Sequence, residues 1–214
     1  MKIKVVTKIL DANERIAEEN RQIFDANKTF VINLISSPGA GKTSLLEKTI
    51  KHLKNKEKIG VIAGDISGSD DALRIDRLGV PVVQINTSGA CHLDANMIND
   101  VLSDLPLEEI KLLFIENVGN LVCPAEFNLG ENIKAMILSL TEGHDKPLKY
   151  PLIFQKSSAM VLNKVDLKPF LDVSIEKIKR DVASLNPSIK VFELSCKTDE
   201  GMENWIKWLQ TLIL

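Results

Sequence analysis

The run Ser36-Ser37-Pro38-Gly39-Ala40-Gly41-Lys42-Thr43 constrains this chain more than any other stretch. It follows an apolar, β-prone segment, Phe30 to Ile35, and precedes Ser44 to Ile50, whose apolar residues have helical spacing. A strand, a glycine-containing turn ending in Gly-Lys-Thr and then a helix is the context of a phosphate-binding loop. Gly39 and Gly41 let backbone N–H groups close around phosphate oxygens. The helix that starts there points its positive end at the same anion. Lys42 is placed to reach the β- and γ-phosphates, and Thr43 to put its hydroxyl on Mg²⁺. Ser36 stands where the first glycine of the pattern is usual, which tightens the turn but removes no phosphate ligand.

A chain of 214 residues suits one α/β domain with small additions. A formal net charge of −2 and no Lys/Arg cluster argue against nucleic-acid binding. No apolar stretch is long enough to span a bilayer and no signal-peptide core is present, so no membrane and a cytoplasmic location are expected. Three cysteines are too few and too unevenly spaced for a disulfide framework.

Met1 to Val6 alternates Lys with Ile and Val and reads as a short strand or a loose arm. Asp11 can cap a helix to about Ala26, with Glu14 at the capping-box position. Its apolar positions, Ile16, Ile23 and Phe24, are sparse, so it either packs peripherally or meets a partner. Residues 1–28 are thus an N-terminal arm and helix, and 29–214 the main domain. Strands are expected at 58–63, 81–85, 111–115, 158–162 and 190–194, and helices at 72–78, 93–102, 151–156, 172–185 and 202–212. The segment from Ile66 to Asp71 reads as a mobile loop. Residues 125–150 are hard to place, although Ala135 to Leu140 could be a strand. Strands alternating with helices predict an α/β, mostly parallel sheet covered on both faces.

Asp65 and Glu116 each end a strand, where ligands bind in open parallel sheets. Glu116 stands where a Walker-B acid does and is a candidate to hold Mg²⁺, directly or through water. Asp65 is a second candidate for Mg²⁺ or for positioning the attacking water, with Asp70 and Asp71 weaker ones. Gly119 follows where its N–H could meet the γ-phosphate. Asn163-Lys164-Val165-Asp166 follows another strand; its carboxylate can accept from guanine N1–H and the exocyclic amine, a pair adenine lacks. Asn163 bonds locally or to the base, and Lys164 lies along the base's face. Ser195-Cys196-Lys197 resembles the supporting loop of GTPases, with Cys196 a small packed residue. The candidate nucleotide set is therefore Pro38, Gly39, Ala40, Gly41, Lys42, Thr43, Ser44, Asn163, Lys164, Asp166, Ser195, Cys196 and Lys197, with Lys42, Asp65, Glu116 and Gly119 nearest the chemistry.

Cys91, His92 and Cys123 lie on two loops at the same sheet edge and could converge. Thiolate and imidazole donors suit Zn²⁺ or Ni²⁺ rather than Mg²⁺. Spacing alone leaves open two buried thiols and a surface histidine. Water, or a second chain across a two-fold axis, could complete the coordination of three ligands.

With these residues in view the chain resembles the hydrogenase nickel-incorporation GTPases, the HypB family. The resemblance rests on Ser37 to Thr43, Gly64-Asp65, Ala90-Cys91-His92-Leu93, Glu116 to Pro124, Lys149-Tyr150-Pro151 and Asn163 to Asp166, of which Glu116 to Pro124 is the most specific. It implies a P-loop fold of the SIMIBI class, GTP hydrolysis, and a homodimer favoured by GTP and metal. It also implies a metal site at Cys91, His92 and Cys123, and nickel delivery to the large subunit of [NiFe]-hydrogenase with a HypA-type metallochaperone. The cysteine-rich or histidine-rich runs of some members do not occur in this sequence, so no separate high-affinity nickel site is expected. No arginine finger or Gln-type water positioner is identifiable, so hydrolysis is expected to be slow. The alternatives are a urease-type nickel-insertion GTPase, a metal carrier whose nucleotide is only a structural switch, and an ATP-dependent kinase or ATPase.

Overall fold

The computed structural model describes residues 2–66, 68 and 70–213. Seven strands form one sheet: β1 (Phe30–Ser36), β2 (Ile59–Asp65), β3 (Val82–Asn86), β4 (Leu112–Glu116), β5 (Ile133–Ser139), β6 (Ala159–Asn163) and β7 (Lys190–Glu193). Their order is β3-β2-β4-β1-β5-β6-β7, and every pair is parallel. The mostly parallel sheet expected from the sequence is therefore parallel throughout. Central strands are buried on both faces, as continuous apolar runs such as Leu112–Ile115 require.

The helices are α1 (Lys2–Ala26), α2 (Lys42–Leu53), α3 (Asp70–Asp76), α4 (Ala95–Asn99), α5 (Cys123–Glu126), α6 (Lys146–Lys149), α7 (Pro151–Lys156), α8 (Ile175–Leu185) and α9 (Met202–Leu212). One sheet face packs Leu45, Leu46 and Ile50 of α2, Ile75 of α3 and Trp205 of α9 against Ile32 and Leu34. The opposite face meets Phe24 of α1 and Ile98 of α4 at one end, and Phe154 of α7 and Ile178 of α8 at the other.

Three expectations change. α1 starts at Lys2, so Lys2 to Val6 is neither strand nor arm and Asp11 lies inside the helix. No Gly or Pro interrupts residues 1–26, so nothing stops the helix earlier. It ends where Lys28 turns left-handed (φ 56°) and the Thr29 N–H donates to the Phe24 carbonyl at 2.9 Å. Second, the helix expected over 93–102 is a single short α4, with Asp94 accepting from the Met97 N–H at 2.9 Å. Turns at Leu102–Asp104 and Leu107–Glu109 follow it, separated at Pro106, which has no N–H to continue a ladder. Third, the helix over 72–78 starts at Asp70, shortening the expected loop; Ser67 and Ser69 of that loop, like Met1 at the start of the arm, lie outside the described residues.

The 125–150 stretch holds α5, the strand β5, a turn at Leu140–Glu142 and α6. The Ser139 hydroxyl and the Glu142 carboxylate form a reciprocal capping box at that turn. α1 is peripheral but firmly attached. Its Ala17 and Phe24 are fully buried, and Asn20 Nδ2 donates to the carbonyls of Ala95 (2.8 Å) and Leu129 (3.1 Å).

Candidate nucleotide site and metal cluster

Every strand of a parallel sheet ends at one edge, and there the chain opens a cavity of about 430 Å³. Pro38, Gly39, Gly41, Lys42, Thr43, Ser44, Asp65, Glu116 and Gly119 line it, so the expected phosphate loop and all four residues expected nearest the chemistry meet in one space. The loop works through backbone shape. Gly41 sits at φ 102°, a region costly for any side chain, and an added Cβ would collide with the Asn163 amide. Gly119 lies against Pro38, where a Cβ would come within 3.0 Å of the ring.

Lys42 is enclosed, and burial pushes its ammonium below the ordinary lysine value, with Glu116, Asp71, Asp65 and Glu142 opposing that effect. Its Nζ donates to Ser36 Oγ at 3.2 Å, so Ser36 is a neighbour of the lysine rather than an empty substitution. Thr43 Oγ1 donates to Glu116 Oε1 at 2.6 Å. Glu116 Oε2 is buried with no partner, and burial pushes this carboxyl up to about 6.

A second recess of about 420 Å³ continues across Gly39, Gly41 and Ser44 to Asn163, Lys164, Asp166, Ser195, Cys196 and Lys197. Asp166 Oδ1 is buried there without a partner. Asn163 bonds locally. Its Nδ2 donates to the Ala40 carbonyl (2.9 Å), and its Oδ1 accepts from the N–H groups of Lys164 (2.8 Å) and Cys196 (3.2 Å). Lys164 Nζ donates to the Gly39 carbonyl at 2.8 Å. Cys196 is buried, and burial pushes its thiol up to about 11.

Cys91, His92 and Cys123 converge: their ligand atoms all lie within 4.8 Å of one another. Cys91 Sγ is 3.2 Å from Cys123 Sγ and 3.6 Å from His92 Nδ1. The alternative of two buried thiols and a separate histidine does not match this geometry, since Cys91 is exposed and Cys123 half-buried. The His92 ring rests on Phe127, centroids 4.0 Å apart, and desolvation lowers its pKa.

Four further residues in and around the site take their roles only from the fold: Asn117 and Asn120, which lie within the Glu116–Pro124 run, and Arg74 and Lys134, which have no signal in the sequence pattern. Arg74 lines the main cavity, where it pairs with Glu47 (2.6 Å) and Asp71 (3.0 Å). Nothing local in the sequence places an arginine in this space, because Glu47, on α2, meets Arg74 only in the fold. Asn117 Oδ1 accepts from the Leu93 N–H at 3.1 Å, and Asn120 Nδ2 donates to the Cys91 carbonyl at 3.2 Å. Lys134 Nζ donates to the carbonyls of Pro124 (3.2 Å), Ala125 (3.1 Å) and Phe127 (2.7 Å).

A strand–loop–helix with these flanks on a parallel sheet is a P-loop nucleotide-binding domain. The family model described as CobW/HypB/UreG, nucleotide-binding domain, matches residues 30–193. The chain belongs to the HypB family of hydrogenase maturation factors, within the P-loop GTPases. It is 50% identical over 209 residues to hydrogenase maturation factor HypB of Escherichia coli K12, covering 98% of this chain and 72% of the relative. The crystal structure of HypB from Archaeoglobus fulgidus superimposes with a TM-score of 0.90 at 40% identity, covering 95% of this chain and all of that one. HypB from Helicobacter pylori, solved in complex with nickel, gives 0.88 at 37%, covering 94% of both chains. Among the described residues no helix is long and apolar enough to cross a membrane.

Proposed function

We propose that the chain is a GTP-hydrolysing metallochaperone that carries Ni²⁺ or Zn²⁺ on Cys91, His92 and Cys123 and assists nickel insertion into [NiFe]-hydrogenase. Cytoplasmic action, a homodimer favoured by GTP and metal, and partners in a HypA-type metallochaperone and the hydrogenase large subunit belong to the same reading. The observation that carries it is the convergence of the soft-donor trio, whose Cys123 lies on the loop leaving Glu116, seven residues from that carboxylate. The nickel complex of the Helicobacter pylori relative supports it.

The residues of the main cavity fit Mg²⁺. Glu116 Oε2 is buried without a partner, and the Thr43 hydroxyl and Glu116 offer hard oxygen donors. The bound ion supplies charge neutralisation at the β- and γ-phosphate oxygens. Thr43 and Glu116 hold it, Lys42 meets the outer phosphates, and Asp65 orients the attacking water. Gly119 offers its N–H to the γ-phosphate, and Arg74 brings positive charge to the same cavity. Asp166 selects guanine through its free oxygen. The ammonium of Lys164 is tied to the loop at Gly39, which leaves its aliphatic stem to lie along the base.

Glu116 and Cys123 share one short segment, so a change at the γ-phosphate alters the spacing of the metal donors. Titration calorimetry of Ni²⁺ with GDP and with a non-hydrolysable GTP analogue tests this. Affinity that changes with nucleotide, and collapses in Cys123→Ala, is expected. Equal affinity in both states defeats the coupling, because linkage is reciprocal. Steady-state phosphate release separates an enzyme from a carrier that uses nucleotide only as a switch.

A further inference from the structure

The two metal-bearing loops come from distant parts of the sequence, yet one buried polar chain ties them together from beneath. Asn117 accepts from the N–H of Leu93, the residue after His92, at 3.1 Å. Its Nδ2 donates to Asn33 Oδ1 at 3.2 Å. Asn33 Nδ2 donates to Glu131 Oε1, also at 3.2 Å, and Glu131 Oε2 accepts from the Leu129 N–H at 2.6 Å. Glu131 pairs with Lys134 at 3.6 Å, their side chains only 3% and 11% exposed. Lys134 then binds three carbonyls of the turn that begins at Cys123, including that of Phe127, whose ring supports His92.

Such a network is costly to build. Asn33 sits at the middle of β1 with no exposure, where an aliphatic residue would pack without needing partners. A buried ammonium and carboxylate are weak contributors to stability compared with an apolar pair of similar volume. Their best physical use is to fix a geometry, since a fully satisfied network has one arrangement.

We propose that Asn117, Asn33, Glu131 and Lys134 are positioning residues for the Cys91–His92–Cys123 centre: they set the distance between its two loops and so its metal affinity and coordination geometry. None of the four is a metal ligand. Asn117 also directly follows Glu116, so the same chain starts beside the nucleotide cavity. The proposal rests on the reading of the trio as a metal site.

The test is Ni²⁺ titration followed by calorimetry and by the thiolate-to-metal charge-transfer absorption, with four proteins. Cys123→Ala tests the site itself. The double variant Lys134→Met/Glu131→Gln removes both charges together and leaves no lone buried charge. Asn117→Ala cuts the chain at its other end and keeps the question open to refutation if the double variant does not fold. Far-ultraviolet circular dichroism establishes which variants are folded. Folded network variants are expected to bind Ni²⁺ at least tenfold more weakly, with a shifted charge-transfer band. Wild-type affinity and an unmoved band in a folded variant overturn the proposal while leaving the site intact. Loss of binding in no variant, Cys123→Ala included, overturns the metal-site reading and the proposal with it.

Discussion

Thr43 and Glu116 stand 73 positions apart and share a 2.6 Å hydrogen bond on the wall of the main cavity. One comes from the first turn of α2 and the other from the end of β4. The bond brings together the hydroxyl and the carboxylate that a hard cation would need, and it leaves the second carboxylate oxygen buried and free.

That free oxygen makes stability depend on pH. Burial raises the Glu116 pKa from an ordinary 4.5 to about 6, so the folded chain holds a proton that the unfolded chain has released between those values. The group's contribution is full below pH 4.5 and is lost as pH rises through about 6. At 1.36 kcal/mol per pKa unit this amounts to about 2 kcal/mol. Urea unfolding of metal- and nucleotide-free protein at pH 4.5 and pH 7 should show that loss relative to Glu116→Gln, in which it is absent. Parallel pH profiles for the two proteins would show that the carboxyl titrates normally.

Asp166 should decide the base. It lines the recess beside the loop and has one buried oxygen without a partner. Hydrogen bonds to a charged group contribute roughly 1.5–3 kcal/mol each. With two such bonds to guanine, Asp166→Ala is therefore expected to weaken GDP by roughly a hundredfold or more and leave ADP unchanged, measured by fluorescent-nucleotide competition. Unchanged preference for guanine would place base selection elsewhere.

Gly41→Ala should cost both stability and nucleotide. The left-handed backbone costs a side chain roughly 1–2 kcal/mol, and the new methyl would displace the Asn163 amide. Because Asn163 links Ala40, Lys164 and Cys196, the damage should spread from the phosphate loop to the base recess. A lower melting temperature with lost GDP binding is expected; a variant that melts lower yet binds normally would separate the two.

The three thiols should react in two classes. Cys196 is held to a pKa of about 11, so at pH 8 only about one molecule in a thousand carries its thiolate. Cys91 is exposed and Cys123 half-exposed. Titration with a chromogenic disulfide reagent should find two accessible thiols and one slow one, and Ni²⁺ should protect the accessible pair. Equal rates for all three would contradict the packing of Cys196.

What the sequence could express was contiguous. Ser36 to Thr43 carries its own flanks, and β4 with Glu116 to Pro124 is an unbroken string, so the phosphate loop and the Cys123 segment were legible. α9 matched its expected bounds because Trp205 and Leu209 keep a helical period. α1 was harder, since two of its inward groups are Asn13 and Asn20, which hydropathy counts as outward. Arg74 and Lys134 were invisible for a related reason. Their partners, Glu47 and the carbonyls of residues 124–127, are brought near by tertiary packing and not by any local pattern.

The strand order also sets a schedule for the ribosome. β1 is the second element made, yet both its neighbours come much later, β4 pairing Phe30 with Leu112 and β5 pairing Ile32 with Ile133. Non-local parallel pairing of this kind delays folding. At about 5–20 residues per second, the nascent chain holds this apolar strand with both edges open for roughly 4–16 seconds, until β4 has been made. The strand that leads into the phosphate loop therefore keeps one edge unpaired until β4, and the other until β5, has left the ribosome.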